Sequence, residues 1–173
     1  AKSALSGDVC SEYVELALAG EVISRRARHA DLTLLGPSLL ADDAISDNAL
    51  DGALCRSGKP ALVVPEKGNA SLAPKTVVIA WDGSMEAARA VHMAREMLQS
   101  ADAVRIVLVD PVAGESGVGA EPGADMAAYL ARLGIKVSVE RLPSGGKPIA
   151  DVLLQHAGDI AAGMIVMGAY GHS

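Results

Sequence analysis

The chain has 173 residues, of which 50% are apolar and only 2% aromatic, and it carries a formal net charge of −6. That length holds one generous domain or two small ones, with cores built from aliphatic side chains. The acidic balance argues against a general nucleic-acid binder, and no uninterrupted apolar run is long enough to span a bilayer.

In chain order, the first predicted element is a helix over roughly residues 14–28, followed by a short strand in Asp31-Leu32-Thr33-Leu34-Leu35-Gly36. A second helix, about residues 43–56, leads to the apolar strand Pro60-Ala61-Leu62-Val63-Val64-Pro65. Prolines at both ends of that strand suit a sheet edge. Residues 66–75 (EKGNASLAPK) form a polar linker. The β-branched run Thr76 to Trp81 reads as a buried strand. Asp82-Gly83-Ser84 then makes a turn in which Asp82 or Ser84 caps the next helix. That helix runs to about Leu98 with Ala87, Ala90, Val91, Ala94, Met97 and Leu98 on one face.

Val104 to Val109 is the next strand, and residues 110–122, rich in Gly, Pro and Glu, read as a loop. Ala124 to Leu133 is helical and stops at Gly134. Ile135 to Arg141 alternates apolar and polar residues and reads as a strand nearer an edge. Pro148 opens a helix as its first residue, with Ile149, Val152 and Leu153 turned inward. The last strand is Met164 to Met167, running directly into Gly168-Ala169-Tyr170-Gly171-His172-Ser173. Alternating strands and helices imply a parallel sheet with right-handed crossovers and helices on both faces.

The helix–strand–glycine unit before Gly36 matches the one before Gly168, which suggests an internal repeat. On that reading residues 1–68 are the C-terminal part of a first half, 69–75 a linker, and 76–173 a second half. A single continuous sheet with an unusual strand order is the alternative. Cys10 and Cys55 have no metal or redox spacing and read as reduced thiols, which fits the cytoplasm.

A buried parallel strand that feeds Gly-x-x-Gly places a tight loop at the strand's carboxyl end, where open α/β sheets bind ligands. Glycines there let a phosphate approach backbone amides. Gly168 and Gly171 are therefore phosphate-site candidates, with a plain turn as the other reading. The stretch Gly114 to Gly123 lacks the Lys and Ser/Thr of a P-loop and reads as a flexible loop. His29, His92 and His156 fall on or beside predicted helices without an acid–nucleophile set.

Three segments together carry a resemblance: Val77-Val78-Ile79-Ala80-Trp81-Asp82-Gly83-Ser84 before an Ala-rich helix, Ile106-Val107-Leu108-Val109-Asp110-Pro111, and Val166-Met167-Gly168-Ala169-Tyr170-Gly171-His172-Ser173. With Pro60 to Pro65 as a closing strand, they resemble the universal stress protein family over nearly the whole chain, as a tandem pair of incomplete halves. The resemblance implies an open parallel α/β fold, Rossmann-like (adenine nucleotide alpha hydrolase-like). It also implies ATP as ligand, held by Gly-x-x-Gly and a later Gly-Ser/Thr that would lie beyond Ser173.

The nucleotide would meet Ala80, Trp81, Asp82, Leu108, Met167, Gly168, Gly171 and His172. Asp82 would lie near ribose or a nucleotide-bound magnesium, with no metal held by protein alone, and Leu108 would offer its backbone to adenine. Each has a plainer reading: a turn or cap for Asp82, core for Leu108, packing beneath the sheet for Trp81, a solvated loop for His172. The first half departs from the pattern, since Leu39 replaces the second glycine after Gly36 and Asp47-Asn48 fall where Gly-Ser/Thr belongs. A carboxylate there repels phosphate, so this half reads as a degenerate structural partner.

The resulting expectation is a stress-response ATP-binding and signalling module with at most slow hydrolysis, because no nucleophile–base pair is evident. It would pair as a homodimer or between its own tandem halves, with no nucleic acid or membrane as partner. The alternatives are a nucleotide-dependent hydrolase or transferase of the same architecture and, more remotely, a phosphoacceptor receiver, which lacks its acid–Thr–Lys set here.

Overall fold

The computed structural model describes residues 6–40, 42–67, 71–112, 114 and 120–169. The chain divides into two compact units, Ala1–Glu66 and Lys67–Ser173.

In the first unit, helix α1 spans Leu16–Ala27 and buries Gly20, Ser24 and Ala27, one face at helical spacing. Ser24 is buried because its hydroxyl donates to the Glu21 carbonyl at 2.9 Å, which satisfies the polar group locally. Strand β1 is Thr33–Leu35, followed by a 3₁₀ turn over Pro37–Leu40. Helix α2, Asp43–Leu50, starts where the Asp42 carboxylate accepts the Ile45 amide at 3.2 Å. It continues as a π-helical segment over Asp51–Cys55, so the second predicted helix is present but loosens halfway. Opposite this segment, a methyl group built on Gly52 would overlap the backbone of Gly20. The two glycines let α1 and the π segment approach backbone to backbone. Strand β2, Ala61–Val63, pairs in parallel with β1, Leu34 beside Leu62.

The second unit holds a four-stranded parallel sheet in the order β5-β4-β3-β6. Its strands are β3 (Thr76–Ala80), β4 (Ala103–Val109), β5 (Val137–Leu142) and β6 (Met164–Met167). As the alternating pattern predicts, β5 lies at an edge. One face buries Val77, Ile79, Val104, Ile106 and Leu108 against Val91, Leu98 and Leu130 of the covering helices. The other buries Val78 and Val107 under Leu153 and Ala157. Helices therefore cover both faces. Each fully buried Ile or Leu contributes about 1.5–3 kcal/mol relative to exposure.

Helices α3 (Met85–Met93) and α4 (Arg95–Ser100) replace the one predicted helix, because Ala94 (φ −84°, ψ 2°) breaks it. Helix α5 is Ala124–Arg132 and α6 is Ile149–Asp159. Pro148 proves to be the residue before α6, with an extended ψ of 139°, not its first helical residue. Ile149 is 59% exposed rather than inward, since it opens the helix and lies outside the apolar cluster that Leu153 joins. Ile135 precedes β5 instead of starting it, yet it is buried in the core.

The chain steps from β3 to β4 to β5, then returns to place β6 on the other side of β3. The reversal falls between β3 and β6. In open α/β sheets that reversal leaves a crevice outside the strands' carboxyl ends.

Candidate functional site

At the carboxyl end of β3 the Trp81 amide donates to the Val107 carbonyl at 2.9 Å. Trp81 follows Val77 and Ile79 at strand spacing and packs half-buried against their cluster. Ala80 faces the other way, packed against the cluster of Val78 and Leu153. Asp82 is exposed, and its Oδ1 accepts the Ser84 amide at 2.9 Å. Ser84 Oγ then accepts the Ala87 amide at 3.1 Å and caps α3. Of the two cap candidates read from the sequence, Ser84 caps the helix and Asp82 holds the turn before it. Gly83 between them has φ +80°, a conformation that favours glycine.

Across the reversal, β6 sets Met167 beside Ala80, with its side chain 58% exposed. Gly168 lies against the first turn of α3, where a Cβ would come within 2.6 Å of the Ala87 nitrogen and 2.9 Å of Glu86 Cβ. The missing side chain of Gly168 is therefore already required by α3. Any phosphate role rests on its backbone alone. Leu108 is buried, as its core reading expects, with only its backbone at the sheet register beside Arg141. Gly171 and His172 lie outside the described residues.

Two residues matter that sequence reasoning did not single out for the site. Asp110, at the end of β4, has φ +46° and accepts the Ser144 amide at 3.0 Å. Hydrogen bonds from the Ser144 side chain and backbone hold its carboxyl below the usual aspartate value. This ties the end of β4 to the loop after β5. Gly123, read as part of a flexible loop, is instead the N-cap of α5 with φ +86°, and its Cβ would press on Val139 and Leu108 at 2.9 and 3.0 Å. Asp110 opened the loop read over residues 110–122, and its long-range partner Ser144 was not visible in the sequence.

The ends of β3 and β6 thus bring together the first turn of α3, the exposed Asp82 and an exposed methionine, Met167. The Met85 and Glu86 amides open the helix and have no acceptor within it, and the helix dipole favours an anion there. The neighbouring Asp82 repels a bare phosphate. Among the described residues no group of three or more His, Cys, Asp or Glu could hold a metal by itself. His92 bonds Tyr129 at 2.9 Å, and His156 lies 3.0 Å from Glu140.

These features define an open parallel α/β protein whose strand order reverses between β3 and β6. No protein-family model matches the chain, and no curated protein sequence matches it. Among solved structures it is similar to a universal stress protein from Archaeoglobus fulgidus, at 21% identity and a TM-score of 0.64, over 90% of this chain. The chain spans 55% of that protein's length. Its fold is therefore universal-stress-protein-like. No helix among the described residues is long and apolar enough to cross a membrane.

Proposed function

We propose that the chain is a cytoplasmic stress-response protein that binds ATP, with magnesium, through its second unit. It acts as a binding and signalling module with at most slow hydrolysis. The observation that supports this reading is the packing of Gly168, at the carboxyl end of β6, against the capped first turn of α3 that follows Asp82. Ala80, Trp81, Leu108 and Met167 line or support the strand ends there, and Gly171 and His172 would continue the glycine loop. The first unit serves as a related but degenerate half. Its Leu39 lies in a 3₁₀ turn and its Asp47 in α2, so neither segment offers a glycine loop. Two copies of the chain pair through edges such as Pro60 to Pro65.

Mass spectrometry of ligand released from the purified protein tests this directly. Recovered ATP that turns over slowly supports the module. Multiple turnover supports the enzyme reading, and absence of any nucleotide affinity by calorimetry overturns both. Gly171→Val should weaken ATP binding while leaving the fold intact, because a branched side chain disfavours the loop backbone.

A further inference from the structure

We propose that Asp82-Gly83 is a self-modification site, where the chain converts its own Asp82 to isoaspartate and so loosens the start of α3. The chain contains two Asp-Gly pairs, Asp51-Gly52 and Asp82-Gly83. In such a pair the glycine nitrogen attacks the aspartate Cγ. A C–N bond forms, and the amide proton leaves with the carboxyl hydroxyl as water. A second water then opens the succinimide. Opening at the aspartate's main-chain carbonyl routes the backbone through the side chain and frees an α-carboxylate, with no net change of mass. Glycine favours the ring closure because it has no Cβ to obstruct it.

The two pairs sit in opposite surroundings. Asp82 is exposed, and its Oδ1 accepts the Ser84 amide at 2.9 Å. That hydrogen bond closes an Asx turn whose ring contains the Gly83 nitrogen, so the carboxyl is folded back toward the atom that attacks it. Asp51 instead has helical angles, φ −57° and ψ −48°, and begins the π-helical segment. Its carboxylate is paired with Arg56. Gly52 is buried against the Gly20 backbone, where even a methyl group would overlap. Its nitrogen reaches the Asp51 carboxyl only after the segment parts from α1, and local opening of packed helices is uphill. Conversion at Asp82 adds a methylene to the main chain directly after β3 and removes the acceptor of the Ser84 amide. Ser84 is the residue that caps α3 through the Ala87 amide, and Gly168 packs on the same first turn. The conversion needs no ligand.

The test ages the whole chain for several weeks in neutral buffer at body temperature, once folded and once unfolded in guanidinium chloride. Peptide mapping with electron-transfer fragmentation then distinguishes isoaspartate from aspartate at each pair. In the folded chain isoaspartate should build up at least about tenfold faster at Asp82 than at Asp51, because only Asp51 must wait for local opening. In the unfolded chain the two rates should converge. Asp82→Glu should abolish the signal at that position, since the six-membered ring it would need closes far more slowly. In the aged folded sample a second set of Ser84 and Ala87 amide resonances should grow in proportion to the converted fraction. Equal rates at the two pairs in the folded chain, or conversion at Asp82 slower when folded than when unfolded, would show that the turn protects its aspartate and overturn the proposal. Unmoved Ser84 and Ala87 resonances in a converted sample would overturn the loosening of α3.

Discussion

The first unit buries small residues where the second buries large ones. Gly20, Ser24, Ala27, Ala49, Gly52 and Ala53 form most of the first interior. Ile79, Leu98, Ile106, Leu108 and Leu130 fill the second. The sheets differ likewise: two strands of three residues against four strands of up to seven. A two-stranded sheet is marginal alone, so the first unit relies on close helix approach. The second relies on apolar area. One chain thus uses two ways of excluding water, and only the second leaves a deep, well-packed strand end on which to build a crevice.

The sharpest way to break this comparison is Ile79→Ala. Ile79 is fully buried on the central strand, and its loss should cost about 2–5 kcal/mol. Denaturant unfolding should show it, and a cost under about 1 kcal/mol would mean that the sheet core is not what holds the unit. Next comes Gly52→Ala. The added methyl meets the Gly20 backbone, and overpacking of this kind costs about 1–3 kcal/mol. Hydrogen exchange should speed in α1 and α2 and hold steady in β3 and β4. Uniform acceleration through both units would erase the contrast.

A third experiment sharpens the functional side. Gly168→Ala should part β6 from the first turn of α3 and weaken ATP by about tenfold, some 1.4 kcal/mol, as calorimetry would read. The same titration of the unaltered chain should give a single ATP per chain. A second nucleotide beside Gly36 would show that the first unit is not degenerate.

The smallest effect is at Asp110. Its folded carboxyl titrates below the usual aspartate value because Ser144 donates to it. The linkage has a definite sign: the contribution is present above the unfolded value, about 3.9, and is lost as pH falls through the lower folded value. The Ser144 amide resonance should shift with a midpoint below that of a free aspartate. A midpoint at or above it would mean that the clasp between β4 and β5 is absent in solution.

Much of this was legible because the signals are local. β-branched runs bounded by turns gave β3, β4 and β6, and the alternation of Val137 and Val139 with polar residues gave an edge strand. Ser84 and Asp82 announced a cap and a turn through side chains that bond their own near backbone. The break at Ala94 carried no such mark, because alanine favours a helix wherever packing permits it. Ile149 misled for the opposite reason. Its apolarity and spacing fit the inward face, but it opens α6, exposed, and stands outside the apolar cluster that Leu153 joins.

The sequence by itself determined most of the strands and helices and their parallel run, since hydrophobic period and turn chemistry act over a few residues. Only the tertiary structure decided that Gly20 must meet Gly52, that Gly123 seats α5 on Leu108, that Gly168 is claimed by α3 and that Asp110 holds Ser144. Those contacts join residues far apart in the chain. Their geometry depends on how the helices lie on the sheet, which no local pattern encodes.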